Sequence, residues 1–108
     1  MSAFTLEDLE RIVASRRGAD AGASYTRQLL DRGVEACAKK FGEEAFEVAL
    51  AAMKEDTAAT AAEAADVLYH LLVLLAACGV PLTDVMAVLS ARTAQSGLAE
   101  KAARTPSS

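Results

Sequence analysis

Four carboxylates carry the chemistry in this chain: Glu44 and Glu47, then Glu63 and Asp66. Each pair is three residues apart, so on a helix its two side chains share a face. Between the pairs, Lys54-Glu55-Asp56-Thr57 is a polar break able to turn one helix back against the next. With the turn centred on Glu55, Glu44 and Asp66 are equidistant from it, as are Glu47 and Glu63, and the four acids face one another at matching heights. Carboxylates gathered in this way raise one another's pKa, so protons or cations must neutralise them. An all-oxygen set without His or Cys suits a hard ion, Mg²⁺ or Mn²⁺, better than zinc. A di-iron bundle calls for Glu-x-x-His motifs, and the residue three past Glu63 is Asp66.

Mg²⁺ completes its shell with water and substrate phosphates, so a magnesium cluster is also a phosphate site. Glu43, beside the cluster, can orient the attacking water, and Lys39 and Lys40, one turn earlier, can neutralise phosphate charge. Acids three apart on an alanine-rich helix are also what a solvated face looks like. The matched heights argue against that. So does the stripe Ala59, Glu63, Asp66, His70, Leu74, Ala77, which continues the acids into residues that must be buried. His70 reads as core packing, with a role behind Asp66 as the alternative. On the residues alone the acids support a site for hard cations and phosphate, with a non-catalytic helical dimer holding a structural ion as the alternative.

Positioning these acids takes five helices. Thr5 opens the first, with Asp8 at the third helical position and Phe4 placed as a staple on Leu9, and it runs to about Arg17. Residues 18–23 hold two glycines and no large apolar side chain, which predicts a mobile loop. Ser24 caps a short helix from Tyr25 to Arg32, ended near Gly33, and a longer one follows from Val34 to about Lys54 with Cys37, Phe41, Ala45, Val48 and Ala52 on its apolar stripe. Gly42 interrupts it, marking a bend or a close approach to the backbone. Thr57 or Thr60 caps the fourth helix, which ends at Gly79 with Pro81 beyond. Leu82 to about Gln95 forms the last, with Val85, Val88 and Leu89 facing inward.

At 108 residues, 53% apolar, alanine-rich and with five aromatics, the chain predicts an all-α bundle of four to five helices in one domain, residues 1–103, with a disordered tail over 104–108. From Val67 the fourth helix is apolar nearly all round, more than one small chain can cover, so a homodimer is expected to complete the core. The net charge of −4 and the lack of a Lys/Arg stripe argue against a nucleic-acid polymer as partner. The longest apolar run, Leu71 to Val80, is well short of the roughly 20 residues a membrane span needs, and the first residues lack the pattern of a signal peptide, so a cytoplasmic protein is expected. Cys37 and Cys78 lie among apolar residues in no metal spacing and are expected as buried thiols.

The run Lys40-Phe41-Gly42-Glu43-Glu44-Ala45-Phe46-Glu47, followed by Glu63-Ala64-Ala65-Asp66, resembles the E-x-x-E then E-x-x-D signature of the all-α nucleoside triphosphate pyrophosphatases, which include MazG-like enzymes. Ser24 to Gly33, Ala65 to Leu75, and Arg92 with Ser96 to Lys101 narrow the resemblance to the phosphoribosyl-ATP pyrophosphatases of histidine biosynthesis. The resemblance implies Mg²⁺-dependent hydrolysis of phosphoribosyl-ATP to phosphoribosyl-AMP and pyrophosphate, with house-cleaning hydrolysis of noncanonical nucleoside triphosphates as the alternative within the same superfamily. It places Glu44, Glu47, Glu63 and Asp66 as metal ligands and Glu43 as an outer ligand or base beside Glu44. Tyr25, Lys40, Arg92 and Lys101 become candidate substrate contacts, joined by Lys39 on electrostatic grounds. Tyr25 can equally pack on the bundle with its hydroxyl in water, and Arg92 can serve the C-terminal dipole of its helix.

Overall fold

A computed structural model describes residues 3–94, all of whose regular elements are helices: α1 (Leu6–Arg17), α2 (Tyr25–Arg32), α3 (Val34–Met53), α4 (Thr57–Cys78) and α5 (Leu82–Thr93). Lys101 and the 104–108 tail lie outside the described residues.

Local chemistry sets these boundaries. Thr5 and Asp8 form a reciprocal capping box at the start of α1: the Asp8 N–H donates to Thr5 Oγ1 at 3.1 Å and the Thr5 N–H to Asp8 Oδ2 at 2.9 Å. Ser24 accepts the Arg27 N–H at 3.1 Å to cap α2. Neither threonine caps α4; Asp56 does, its Oδ1 accepting the Ala59 N–H at 3.0 Å. Thr60 instead donates its hydroxyl to the Asp56 carbonyl at 2.7 Å. A carboxylate one residue upstream is the better acceptor for the first turn, and its charge also suits the helix N-terminus. At the other end, the Gly79 N–H bonds the Ala76 carbonyl and the Val80 N–H the Leu75 carbonyl, a Schellman close with Gly79 left-handed.

Two further joints matter for the site. Gly33, at φ 93° and ψ −179°, is at once the end of α2 and the start of α3. Glu55, with φ 58°, makes the sharp turn between α3 and α4 where the sequence places its centre. The resulting antiparallel hairpin is by far the most extensive helix contact in the fold.

All five helices contribute to one small core of Val13, Leu29, Cys37, Leu72, Val73 and Leu82. Two long-range bonds pin α1 across it. Arg17 donates to the Ala76 carbonyl at 2.8 Å, and Glu10 Oε2 accepts the Leu82 N–H at 2.8 Å, capping α5, which has no side-chain cap of its own. The 18–23 segment, expected to be mobile, is tied down: Arg27 bonds the Ala19 carbonyl at 2.7 Å and Gln28 the Ala21 carbonyl at 2.8 Å.

Several side chains depart from expectation. Val88 and Leu89 are about half exposed; only Leu82 and Val85 bind α5 to the core. Phe4 stands mostly in solvent and is no tight staple. Cys37 is buried, but Cys78, in the last turn of α4, is exposed, and neither cysteine is in a disulfide. On α3, Ala51 rather than Ala52 is buried. Helix α4, 22 residues long with an 18-residue stretch of mean hydropathy 1.6, is long and apolar enough to cross a membrane by length and composition. Counting only the run after His70 overlooked its alanines. Yet α4 buries Leu72 and Val73 in the core, lies along α3, and carries Glu63 and Asp66 on its length.

Candidate metal and nucleotide site

The Glu55 turn brings three of the four acids together. Ligand oxygens of Glu44, Glu63 and Asp66 all lie within 4.8 Å of one another, with Glu44 and Glu63 half-buried and Asp66 exposed. Glu47 sits outside this set on the exposed side of α3, yet close enough that its charge is felt at Glu63. The Glu63 carboxyl is pushed above the ordinary glutamate range, first by burial and then by the charges of Asp66, Glu44 and Glu47. Among the described residues the set has one cationic partner, Lys40, whose Nζ is 3.3 Å from Glu44 Oε1. One ammonium against this much negative charge leaves an excess that a divalent cation would neutralise. The donors are all carboxylate oxygens, with no nitrogen or sulfur, so the residues fit a hard cation.

Beside the acids lies a cleft of about 380 Å³ lined by Tyr25, Leu29, Arg32, Ala36, Lys39, Lys40 and Glu43. Its walls are two helical stripes that meet at Gly33: Tyr25, Leu29 and Arg32 on α2, then Ala36, Lys40 and Glu43 on α3, each running i, i+3 or i+4, i+7. Lys40 joins the cleft to the acid set. Its ammonium is held above the ordinary lysine range by its bond to Glu44, by the Tyr25 phenol and by Glu43. Tyr25, Lys39, Lys40 and Glu43 thus share one concavity. Arg92 sits on exposed α5 and is not among the residues lining the cleft. Arg32 was missed by the sequence reading, although its place seven residues after Tyr25 was a readable signal.

His70 is buried, and its Nδ1 donates to the Asp66 carbonyl at 2.9 Å, one turn back on the same helix. In the neutral ring Nε2 is then the acceptor, facing the Tyr25 hydroxyl at 3.5 Å. The Tyr69 ring meets His70 edge-on at 4.9 Å, and the Tyr69 hydroxyl bonds that of the fully buried Thr26. This is a satisfied core histidine, as its apolar surroundings imply, and it fastens the start of α2 to the turn of α4 that carries Asp66.

The phosphoribosyl-ATP pyrophosphohydrolase family model matches residues 6–93, which spans both acid pairs and all five helices. The chain belongs to the phosphoribosyl-ATP pyrophosphohydrolase family. Similar proteins named phosphoribosyl-ATP pyrophosphatase include one from Azorhizobium caulinodans, 64% identical over 100 residues that cover 93% of this chain and 92% of the relative. One from Methylobacterium radiotolerans is 59% identical over 98% of this chain and 99% of its own length. Another, from Agrobacterium fabrum, is 56% identical over 96% and 97%. As a member of the family the protein is an enzyme, a hydrolase.

Proposed function

We propose that the protein hydrolyses phosphoribosyl-ATP between its α and β phosphates, releasing phosphoribosyl-AMP and pyrophosphate, with Mg²⁺ as cofactor and Mn²⁺ as a possible substitute. The observation that carries this reading is the juxtaposition of the acid set, within 4.8 Å, with a cation-lined cleft that shares Lys40 with it. Acids alone would suit any hard cation; acids beside lysines and an arginine suit a cation that arrives with a polyphosphate.

Glu44, Glu63 and Asp66 would hold the ion, with Glu47 as an outer acid. Bound there, it supplies charge neutralisation for the phosphates and an acidified water for the attack. The protein's own groups do the rest. Lys40 fixes the Glu44 carboxylate and presents positive charge toward the cleft. Glu43, exposed and lining the cleft one residue from Glu44, is placed to take the proton of the attacking water. Lys39 and Tyr25 contribute charge and a ring face at the cleft wall, while Arg92 and Lys101 remain candidate contacts from the C-terminal part of the chain.

The reading extends to a single domain over residues 1–103, a cytoplasmic location and a homodimer. For the last, the support is apolar surface left open: Leu68 on α4 and Met86, Val88 and Leu89 on α5 are each more than 40% exposed. No polymeric nucleic acid or membrane partner is required.

Purified protein with Mg²⁺, offered phosphoribosyl-ATP and a panel of nucleoside triphosphates, should release pyrophosphate fastest from phosphoribosyl-ATP. Faster turnover of noncanonical triphosphates would favour the house-cleaning alternative, and no release from any substrate would favour a structural ion site. Glu44→Gln and Asp66→Asn should each lower turnover by at least about 100-fold, beyond the effect of losing a group that merely orients a ligand. Excess EDTA should abolish it.

A further inference from the structure

On the α2 wall of the cleft, Arg32 enters the proposed reaction only as positive charge, with no particular group of the substrate as its partner. Arg32, in the last turn of α2, and Lys39, in the second turn of α3, both line the concavity. Neither has a carboxylate within 4.0 Å among the described residues. The nearby cation Arg27, by contrast, is paired with Asp31 at 3.1 Å, and Lys40 with Glu44. Two cations with no carboxylate in pairing distance, in a cleft whose one acidic lining residue is Glu43 and on walls joined by a single residue, make a place for an anion brought from outside. At about 380 Å³ the cleft has room for a phosphate and the sugar that bears it.

Resting on the proposed substrate, we infer that this cleft is the subsite for a terminal phosphate of the nucleotide, with Arg32 and Lys39 as its ligands. Arg32 brings a planar fork suited to two phosphate oxygens, and Lys39 a point charge. Lys40 marks the border between this subsite and the acid set. A nucleotide held at both places spans α2, α3 and α4, so recognition is divided between the cation-binding acids and a wall that touches no ion. Phosphoribosyl-ATP carries terminal phosphate at two ends, the triphosphate tail and the phosphomonoester of its second ribose. Both present the same chemistry to this wall.

Calorimetry on the full-length, Mg²⁺-loaded protein separates them, using inorganic pyrophosphate and ribose 5-phosphate as probes. Arg32→Gln should weaken one probe by about tenfold, the effect of roughly one charge-assisted hydrogen bond. Lys39→Gln should weaken the same probe, and Arg32→Lys should recover part of the loss. Mg²⁺ alone should bind Arg32→Gln as it binds the wild type. Loss confined to pyrophosphate assigns the cleft to the leaving end, and loss confined to ribose 5-phosphate assigns it to the second sugar; either supports the subsite. Unchanged affinity for both probes in Arg32→Gln and Lys39→Gln, or equal weakening of Mg²⁺ itself, overturns it. The binding readout does not depend on turnover: a wild type that fails to hydrolyse phosphoribosyl-ATP defeats the proposed reaction while leaving the Arg32 result to be read separately.

Discussion

Alanine at Gly42 and alanine at Gly33 should move stability in opposite directions, although both glycines adjoin the site and neither lacks space. A Cβ built on either meets nothing within 4 Å among the described residues, so packing does not enter there and only backbone conformation does. Gly42 is exposed inside α3, where alanine is favoured by about 0.5–1 kcal/mol through helix propensity. Gly33 holds φ 93° and ψ −179°, a region closed to L side chains at a cost of about 1–3 kcal/mol. Alanine's smaller unfolded-state entropy returns about 0.4–1 kcal/mol of that. The expected outcome is a Gly42→Ala variant more stable by about 0.5–1 kcal/mol and a Gly33→Ala variant less stable by about 1–2 kcal/mol. For a chain near this size each kcal/mol moves Tm by about 4–8 °C. Thermal and urea melts of the metal-free protein, followed by circular dichroism at matched protein concentration, read both. A fall in Tm for Gly42→Ala, or a neutral Gly33→Ala, would refute the reasoning. A Gly42→Ala variant that gains stability but loses turnover would show that this backbone is approached by a group other than the described residues, such as substrate or a second subunit.

Three more outcomes follow from charge and burial. Glu63→Gln should raise the Tm of the protein in chelator, because Glu63 is crowded by Asp66, Glu44 and Glu47, and should shrink the rise in Tm that Mg²⁺ produces in the wild type. A lower Tm in chelator would contradict the repulsion argument. Asp8 is held below the ordinary aspartate range by bonds from the Thr5 backbone and side chain, aided by Arg11. With its folded pKa depressed, its contribution to stability is full above the unfolded value of about 3.9 and is lost as pH falls through the folded value. The stability gap between wild type and Asp8→Asn should therefore close in that acid window; a gap constant from pH 7 to pH 2 would remove the charge from the cap. Burial raises the Cys37 thiol pKa and its Sγ–H donates to the Leu29 carbonyl at 3.3 Å, whereas Cys78 is exposed. Alkylation followed by mass spectrometry should label Cys78 in the folded protein and Cys37 only on unfolding.

The acid register could be read from the sequence because it depends on two local facts, the three-residue spacing and the position of the turn. The structure puts a left-handed Glu55 at that turn and gathers Glu44, Glu63 and Asp66, while Glu47 stays on the exposed side. Helix ends were equally local, so Thr5, Ser24, Gly33 and Gly79 were all legible. Asp56 was not, because two threonines nearby are also good caps and only geometry chooses among them. What escaped entirely was set by relations between elements. Arg32 gains its meaning from a wall on another helix, and Cys78 its exposure from the direction in which α4 ends. The same holds for Val88 and Leu89, apolar residues that the single chain leaves uncovered.

The bond from Glu10 to the Leu82 N–H bears on how the chain assembles. It joins residues 72 apart, whereas the acids meet across a hairpin whose turn is a few residues long. Closing a long loop costs more entropy than closing a short one, and contacts near in sequence form sooner. Helix α5 has no side-chain cap of its own, so the N–H of its first residue, Leu82, depends on a carboxylate of α1. The acid set thus rests on a contact local in sequence, whereas α5 is fastened across the whole fold by a carboxylate, Glu10, with no part in the chemistry.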